Sequence, residues 1–382
     1  MKLVTNEACK VPADVPDAVT ERDEEIFRAI TSTELSEEQV ARVTTPREVF
    51  KRQKSVLAVH WHPEFVPMDL ITRRIDATFP NRDEELIIPT QHNELLTYGD
   101  YAGVEVDCYA SGFNQKVQLL LHFEARRVED AHVLRSMLAH TFKYRSSQLF
   151  DFMHTITAPD EERIDRAARE TGADATLVEF VRVGVQKLQD LLDRYMDDIP
   201  PSSIKNKLLR NYFDALREDY EETLINRVQA YLKAVKRIVK EQFSLKYFYR
   251  ASEVIEEARS LGGGVVIPHP EQFWPILLAR YGVDGYEVWN PQSQRYTEFL
   301  ISVVNEKNER QRGTREPVLI FMGDDCHMGE KVKDPAHQDT AKAAREIGVQ
   351  PAWDDMGISK KLIVADMDRS RVINEYKRRL QG

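Results

Sequence analysis

Short apolar runs rise from a polar background along this chain, and four of them stop on a possible metal ligand: VLAVHWH (56–62), VQLLLHFE (117–124), GGGVVIPHP (262–270) and PVLIFMGDDCH (317–327). A strand buried on both faces of a parallel sheet reads as a near-continuous Val/Ile/Leu run, so each His or Asp falls where a strand emerges at its carboxyl end. That end is where α/β barrels build their sites. Between residues 55 and 125 such runs alternate with helical patterns, as in SVLAVHWH, PMDLITRRIDATF, ELIIPTQH, GVEVDCYA and KVQLLLHFEA. From residue 253 the alternation resumes through VVIPHP, GYEVWN, PVLIFMGDDCH, KLIVAD and a terminal helical RSRVINEYKRRL. Strands alternating with helices predict an α/β fold on a parallel sheet, and about seven such strands are enough to close a barrel.

The two remaining segments read differently. Residues 1–54 are polar, with TSTELSEEQVARV offering a capped amphipathic helix, and predict a helical leader on the outside. Residues 126–252 place apolar side chains at three- and four-residue spacing, as in VEFVRVGVQKLQDLLDRYM and INRVQAYLKAVKRIVKEQF, and predict a helical insertion that Pro200-Pro201 breaks in two. The predicted segments are therefore 1–54, 55–125, 126–252 and 253–382.

Composition adds mild bounds. At 382 residues, 42% hydrophobic and 30% charged, the chain reads as an ordinary globular protein, and its formal charge of −10 argues against a surface built wholly for nucleic acid. Cys9, Cys108 and Cys326 are odd in number and unclustered, which fits a reducing cytoplasm. No window approaches a membrane span, and the first residues lack the apolar core of a signal peptide, so a cytoplasmic location is expected.

His60 and His62, two residues apart on a strand, face the same side and can chelate one ion or bridge two. Asp325 and His327 repeat that spacing after Gly323, while one of Asp324 and Asp325 is expected to serve an Asx turn or helix cap. His269 follows its own apolar run. His92 in IIPTQHNE and Glu105 in GVEVD are weaker signals, but a strand-borne Glu between apolar neighbours is costly unless paired. His132, His140, His154 and His337 fall in helical or loop patterns and read as structural or exposed.

In chain order, H-x-H, T-x-H, G-V-E, L-L-x-H, I-P-H-P, Y-E-V-W-N and G-D-D-x-H resemble the PHP superfamily, named for polymerase and histidinol phosphatase. The resemblance covers residues 55 to about 125 and 251 to about 330. It implies a distorted (β/α)7 TIM-like barrel with a large helical insertion. It also implies two or three divalent ions of zinc, manganese or iron, and hydrolysis of a phosphomonoester or phosphodiester by water that those ions activate. Carried over, it makes His60, His62, His92, Glu105, His122, His269, Asp325 and His327 the metal ligands, with Glu105 bridging. Asp325, His269 and His327 are the catalytic candidates, either histidine being an alternative proton donor to the leaving group. The family's further histidine after the first pair is absent, with Glu64 or Asp69 in its place, and its T-D-H stands here as Thr90-Gln91-His92.

Arg73, Arg145, Arg210, Arg280 and Arg295 are all available to hold a phosphate. The segment YLKAVKRIVKEQFSLKYFYR (231–250) interleaves cations with aromatics, a pattern that suits nucleic acid or a solvated helix over an aromatic core. The expected substrate is a small phosphorylated metabolite or nucleotide. A nuclease guided by residues 231–250 and an inactive metal-binding interaction module are the alternatives, and the insertion equally suits a homo-oligomer contact or a lid.

Overall fold

The computed structural model describes residues 15–335 and 338–382, so Cys9 and His337 lie outside the described residues. The chain divides into two compact units. One comprises residues up to 34 together with 143–244, and the other comprises 35–142 together with 245–382.

The first unit is helical. Helices Glu21–Thr31, Glu161–Thr171, Ala175–Tyr195, Lys207–Ala215 and Glu222–Gln242 pack with the later turns of His132–Thr157. Their ends follow local chemistry. Thr20 and Asp23 form a reciprocal capping box, Asp174 accepts from the Leu177 amide, and Gly172 stops its helix with φ +68°. The helix Glu21–Thr31, expected on the outside, instead buries Ile26 and Phe27 in this unit's core with Phe180, Val181, Leu188 and Phe213. A buried ion pair, Lys187 Nζ to Asp23 Oδ2 at 2.9 Å, joins it to helix Ala175–Tyr195, and the Tyr212 hydroxyl donates to Asp23 Oδ1 at 2.5 Å. Tyr231 is fully buried in the same core, and Arg237 pairs with Glu170 and Glu241. The cationic run over 231–242 is thus a solvated face above an aromatic core rather than a stacking platform.

Among its described residues the second unit carries ten strands: β1 (Ser55–Ala58), β2 (Trp61–His62), β3 (Glu84–Ile87), β4 (Leu96–Tyr98), β5 (Tyr101–Ala110), β6 (Gln115–Glu124), β7 (Gly264–Ile267), β8 (Gly285–Trp289), β9 (Leu319–Met322) and β10 (Cys326–His327). Among the described residues they form a six-stranded sheet in the order β4-β5-β6-β7-β8-β9 and two short parallel ladders, β1-β3 and β2-β10. The parallel expectation holds for β7-β8-β9 and the two short ladders. It fails for β4-β5-β6-β7, which run antiparallel. For β5–β6 the reason is loop length, since Ser111–Asn114 is too short for a crossover helix and right for a hairpin, whereas β6 and β7 are joined through residues 125–263, whose length imposes no direction. Among the described residues no ladder closes the sheet on itself. Single links continue it: Ile88 donates to the Ala58 carbonyl at 2.8 Å, the Asp325 amide donates to the His60 carbonyl at 2.9 Å, and His92 bridges to Glu105.

β1 shows why these runs are continuously apolar. Val56 and Ala58 pack into a cluster with Ile71, Ile75 and Phe79, whereas Leu57 and Val59 enter the main sheet core with Val104 and Leu121. Both faces are buried. The run KLIVAD, placed in the strand–helix alternation, is helical within Met356–Val364, because Asp355 accepts from the Gly357 and Ile358 amides and starts a helix there. The last helix, Arg369–Gln381, buries Val372, Ile373, Tyr376 and Leu380 in the sheet core.

The Lys187–Asp23 pair yields a first expectation. Asp23→Ala strands a buried ammonium and should destabilise the protein by about 3–5 kcal/mol. Lys187→Met should cost less, because Tyr212 and Thr20 still hydrogen-bond the carboxylate, and adding it to Asp23→Ala should recover part of the loss. Chemical denaturation followed by circular dichroism measures all three; an Asp23→Ala protein as stable as wild type would contradict the assignment.

Candidate metal centre

The carboxyl end of β1 delivers His60 and His62, the residues after β3 deliver His92, and β5 delivers Glu105. His269 follows β7, and Asp325 and His327 follow β9. These seven side chains form three overlapping groups, His62/His92/His327, His60/His62/Asp325 and His60/Glu105/His269, with the ligand atoms of each within 4.8 Å of one another. Glu105 sits between its neighbours: Oε1 lies 3.4 Å from His269 Nε2, Oε2 lies 3.8 Å from His62 Nε2, and His92 Nδ1 also abuts Oε2. Asp325 Oδ1 lies 3.4 Å from both His62 Nε2 and His327 Nε2 and 3.8 Å from His60 Nε2.

An outer layer orients them. Glu287 Oε2 takes a hydrogen bond from His60 Nδ1 at 2.6 Å, which leaves His60 Nε2 as the ligating atom. Gly323 makes room for this carboxylate, since a Cβ there would stand 2.3 Å from Glu287 Cδ. Asp325 Oδ2 accepts from Arg345 Nη1 at 2.5 Å and Gln292 Nε2 at 2.7 Å, and Arg345 also donates to the Asp325 carbonyl. Those bonds hold Asp325 in a left-handed backbone at φ +46°, a conformation an L residue adopts at a cost. Glu64 Oε1 faces His327 Nδ1 at 3.4 Å, while its amide, at φ +55°, donates to Gln91 Oε1. Of the two carboxylates that follow the first histidine pair, Glu64 faces the cluster while Asp69 is exposed, and Gln91 holds the Glu64 backbone. Asp324 turns away, accepting from the Cys326 and Gly348 amides as the expected Asx turn.

The electrostatics follow from burial among like and unlike charges. Burial lowers His62 to about 3, helped by repulsion from His327 and His92, so its imidazole is neutral. Burial also opposes charge on His60, but Glu287, Asp325 and Glu105 outweigh it and raise the ring to about 10. Against burial, His92 and His269 hold Glu105 well below the usual carboxylate range, and His327 and His62 do the same for Asp325. Burial lifts Asp324 to about 7.

The donor set fits a metal on a direct observation. His60 Nε2, both nitrogens of His62, His92 Nδ1, His269 Nδ1 and both Glu105 oxygens are buried without a hydrogen-bond partner. Orphaned atoms of this kind cost about 1–3 kcal/mol each, more when charged. Imidazole nitrogen and carboxylate oxygen at this spacing suit divalent transition-metal ions, which would satisfy one nitrogen of each ring together with the Glu105 oxygens.

His122 is not brought into the cluster. Its Nε2 donates to the Val59 carbonyl at 3.0 Å and its Nδ1 accepts from the Tyr376 hydroxyl at 2.8 Å, so neither nitrogen is left to ligate. It stands in register between Gly103 and Gly264, ties β6 to the end of β1 and the last helix, and is lowered to about 3 by burial. Of the arginines considered, Arg73, Arg280 and Arg295 are exposed, and Arg145 and Arg210 belong to the helical unit. The cation at the centre is Arg345, which its sequence context, AAREIG, does not mark. Glu287 was readable: a Glu between Tyr286 and Val288 on an apolar strand carries the signal that singled out Glu105.

No model of a known protein family matches the chain, and no curated protein matches it. Among solved structures the chain is similar to a candidate metal-dependent phosphoesterase from Bifidobacterium adolescentis ATCC 15703, at 17% identity over 78% of this chain and 94% of that chain, with a TM-score of 0.37. At that score the two chains are not shown to share a fold, and the chemistry of the centre is carried by its own side chains.

Metal content measured by inductively coupled plasma mass spectrometry separates ligands from bystanders. Glu105→Gln should lose bound metal and Glu287→Gln should weaken it about 10–100-fold. His122→Gln should keep it, with stability reduced by about 1–3 kcal/mol as Val59 and Tyr376 lose their partner. Loss of metal in His122→Gln with the fold intact would reverse the assignment.

Proposed function

We propose that this chain is a metal-dependent phosphoesterase of the PHP kind. On this reading it hydrolyses a small phosphorylated metabolite or nucleotide at a centre of two or more divalent ions held by His60, His62, His92, Glu105, His269, Asp325 and His327. The observation that carries the reading is the buried cluster of ligand atoms without partners around Glu105. When bound, such ions activate water, neutralise phosphate charge and stabilise the leaving oxygen.

Charge balance supports more than one ion. With the imidazoles deprotonated as metal ligands, Glu64, Glu105, Glu287 and Asp325 stand against Arg345, the guanidinium that bonds Asp325, leaving three net negative charges. One divalent ion leaves the centre negative and repels a phosphate; two make it positive. Arg345 fixes Asp325, and Glu287 fixes the tautomer of His60. Of the two histidines, His327 is the better placed to donate a proton to the leaving group in place of ligating, because its side chain is 21% exposed against 7% for His269. In this reading the sheet unit is a (β/α)7 barrel interrupted between its short ladders, an order that the His60–Asp325, Ala58–Ile88 and His92–Glu105 links favour. Seven converging donors favour turnover over a purely metal-binding module, and the burial of Tyr231 and Phe248 removes two of the aromatics from the nucleic-acid pattern.

Hydrolysis of p-nitrophenyl phosphate by the purified protein, with and without added manganese, tests the proposal. Two or more ions per chain and activity that drops at least about a hundredfold in Asp325→Ala and Glu105→Gln are expected. Metal-replete protein without turnover on aryl phosphates or nucleotides would leave a binding module instead.

A further inference from the structure

At the opposite end of β1 from His60 and His62, the second unit has a cleft of about 910 Å³ between residues 49–55 and the segment 353–370. Its floor is apolar, made by Phe50, Leu362 and Met367, and the exposed Lys51 and Arg52 stand on its rim. Two features set it apart from an ordinary surface groove. The Arg369 side chain is only 13% exposed, yet its carboxylate partner, Asp354 at 3.2 Å, is 78% exposed, and its Nε has no hydrogen-bond partner. Trp353, 7% exposed, likewise buries an indole Nε1 that donates to nothing. A buried guanidinium answered by one solvated carboxylate and, at 3.5 Å, by the Ser55 carbonyl is under-compensated, and Trp353 brings a second unpaired donor to the lining of the same cleft. Burial pulls the Arg369 guanidinium below its ordinary pKa, opposed by Asp354, the direction expected of a cation short of counter-charge.

We propose that this cleft binds a small organic oxyanion, a phosphate or carboxylate carried on a short apolar body. Arg369 recognises the oxyanion through its planar fork. Lys51 and Arg52 draw it in, and the body lies on Phe50, Leu362 and Met367. The volume lies within the usual range for small-ligand sites, roughly 300–1,000 Å³. The site shares no residue with the metal centre, so neither proposal depends on the other.

Calorimetric titration of the full-length protein as purified, with hexyl phosphate, hexanoate and inorganic phosphate, tests it. Hydrogen exchange locates the response. Hexyl phosphate or hexanoate, whichever head group fits, should bind at least several-fold more tightly than inorganic phosphate and protect residues 353–370. Arg369→Gln should weaken that binding by about tenfold or more. Ser359→Phe, which fills the cleft from the half-buried Ser359 without touching Arg369, should abolish it and decides the matter if Arg369→Gln does not fold. Unchanged affinity in Ser359→Phe, protection confined to residues 322–330, no binding at millimolar ligand, or capture by phosphatidylglycerol vesicles without binding of the soluble anions would each overturn the proposal.

Discussion

Burying Glu105 with no hydrogen bond to either carboxylate oxygen is the constraint on which the sheet unit depends. One face of β5 is organised around it. Gly103, two residues earlier, lets the Pro89 carbonyl approach to where a Cβ would stand 2.4 Å away, and Asp107, two residues later, exchanges hydrogen bonds with Asn93. That exchange holds Asn93 at φ +55° in the turn that presents His92 to Glu105. The other face, with Val104, Val106 and Cys108, is ordinary core. A single strand thus sets the ligand, the spacing of its neighbour and the conformation of the adjoining turn, and a cation completes what the protein leaves open.

The same logic extends outward. His269 at φ +28°, Asp325 at φ +46° and Glu64 at φ +55° occupy backbone conformations that side chains avoid, and all three lie at the centre. Strain persists only where the surroundings over-determine it. For Asp325 the surroundings are Arg345 and Gln292; for Glu64 they are the Gln91 side chain and the open space at Gly329, where a Cβ would meet the Glu64 carboxylate at 2.0 Å. Rigid presentation of His60 and Asp325, whose second atoms are already engaged by Glu287 and by Arg345 and Gln292, limits the reorganisation a bound ion would require.

How much of this was legible in the chain depends on distance along it. Apolar runs ending in His or Asp mark buried strands because both faces of β1 enter a core, and same-face spacing places His60 with His62 and Asp325 with His327. His122 looks identical by that rule. What removes it from the centre is Tyr376, 254 residues away, whose hydroxyl no local pattern assigns to an imidazole. Arg345 was hidden for the same reason, since its partner Asp325 is chosen by the fold. The β5–β6 hairpin was readable from its short loop, yet alternating strands and helices elsewhere pointed to a wholly parallel sheet. KLIVAD was ambiguous by periodicity, and the Asp355 cap decided it. Helix Glu21–Thr31 joined the helical unit through Asp23, a capping residue whose second role as partner to Lys187 cannot be seen locally.

The two units differ in what completes them. In the helical unit the buried charge is answered from within, Asp23 by Lys187, Tyr212 and Thr20. In the sheet unit the Glu105 carboxylate is faced by the imidazoles of His92, His269 and His62, rings that themselves carry unpartnered nitrogens. An ion that binds only the folded form stabilises it in proportion to the logarithm of its concentration over its dissociation constant. Metal supply therefore bears on the stability of the sheet unit through the same side chains that would do its chemistry, while His122, satisfied by Val59 and Tyr376, holds β6 against β1 whether or not an ion is bound.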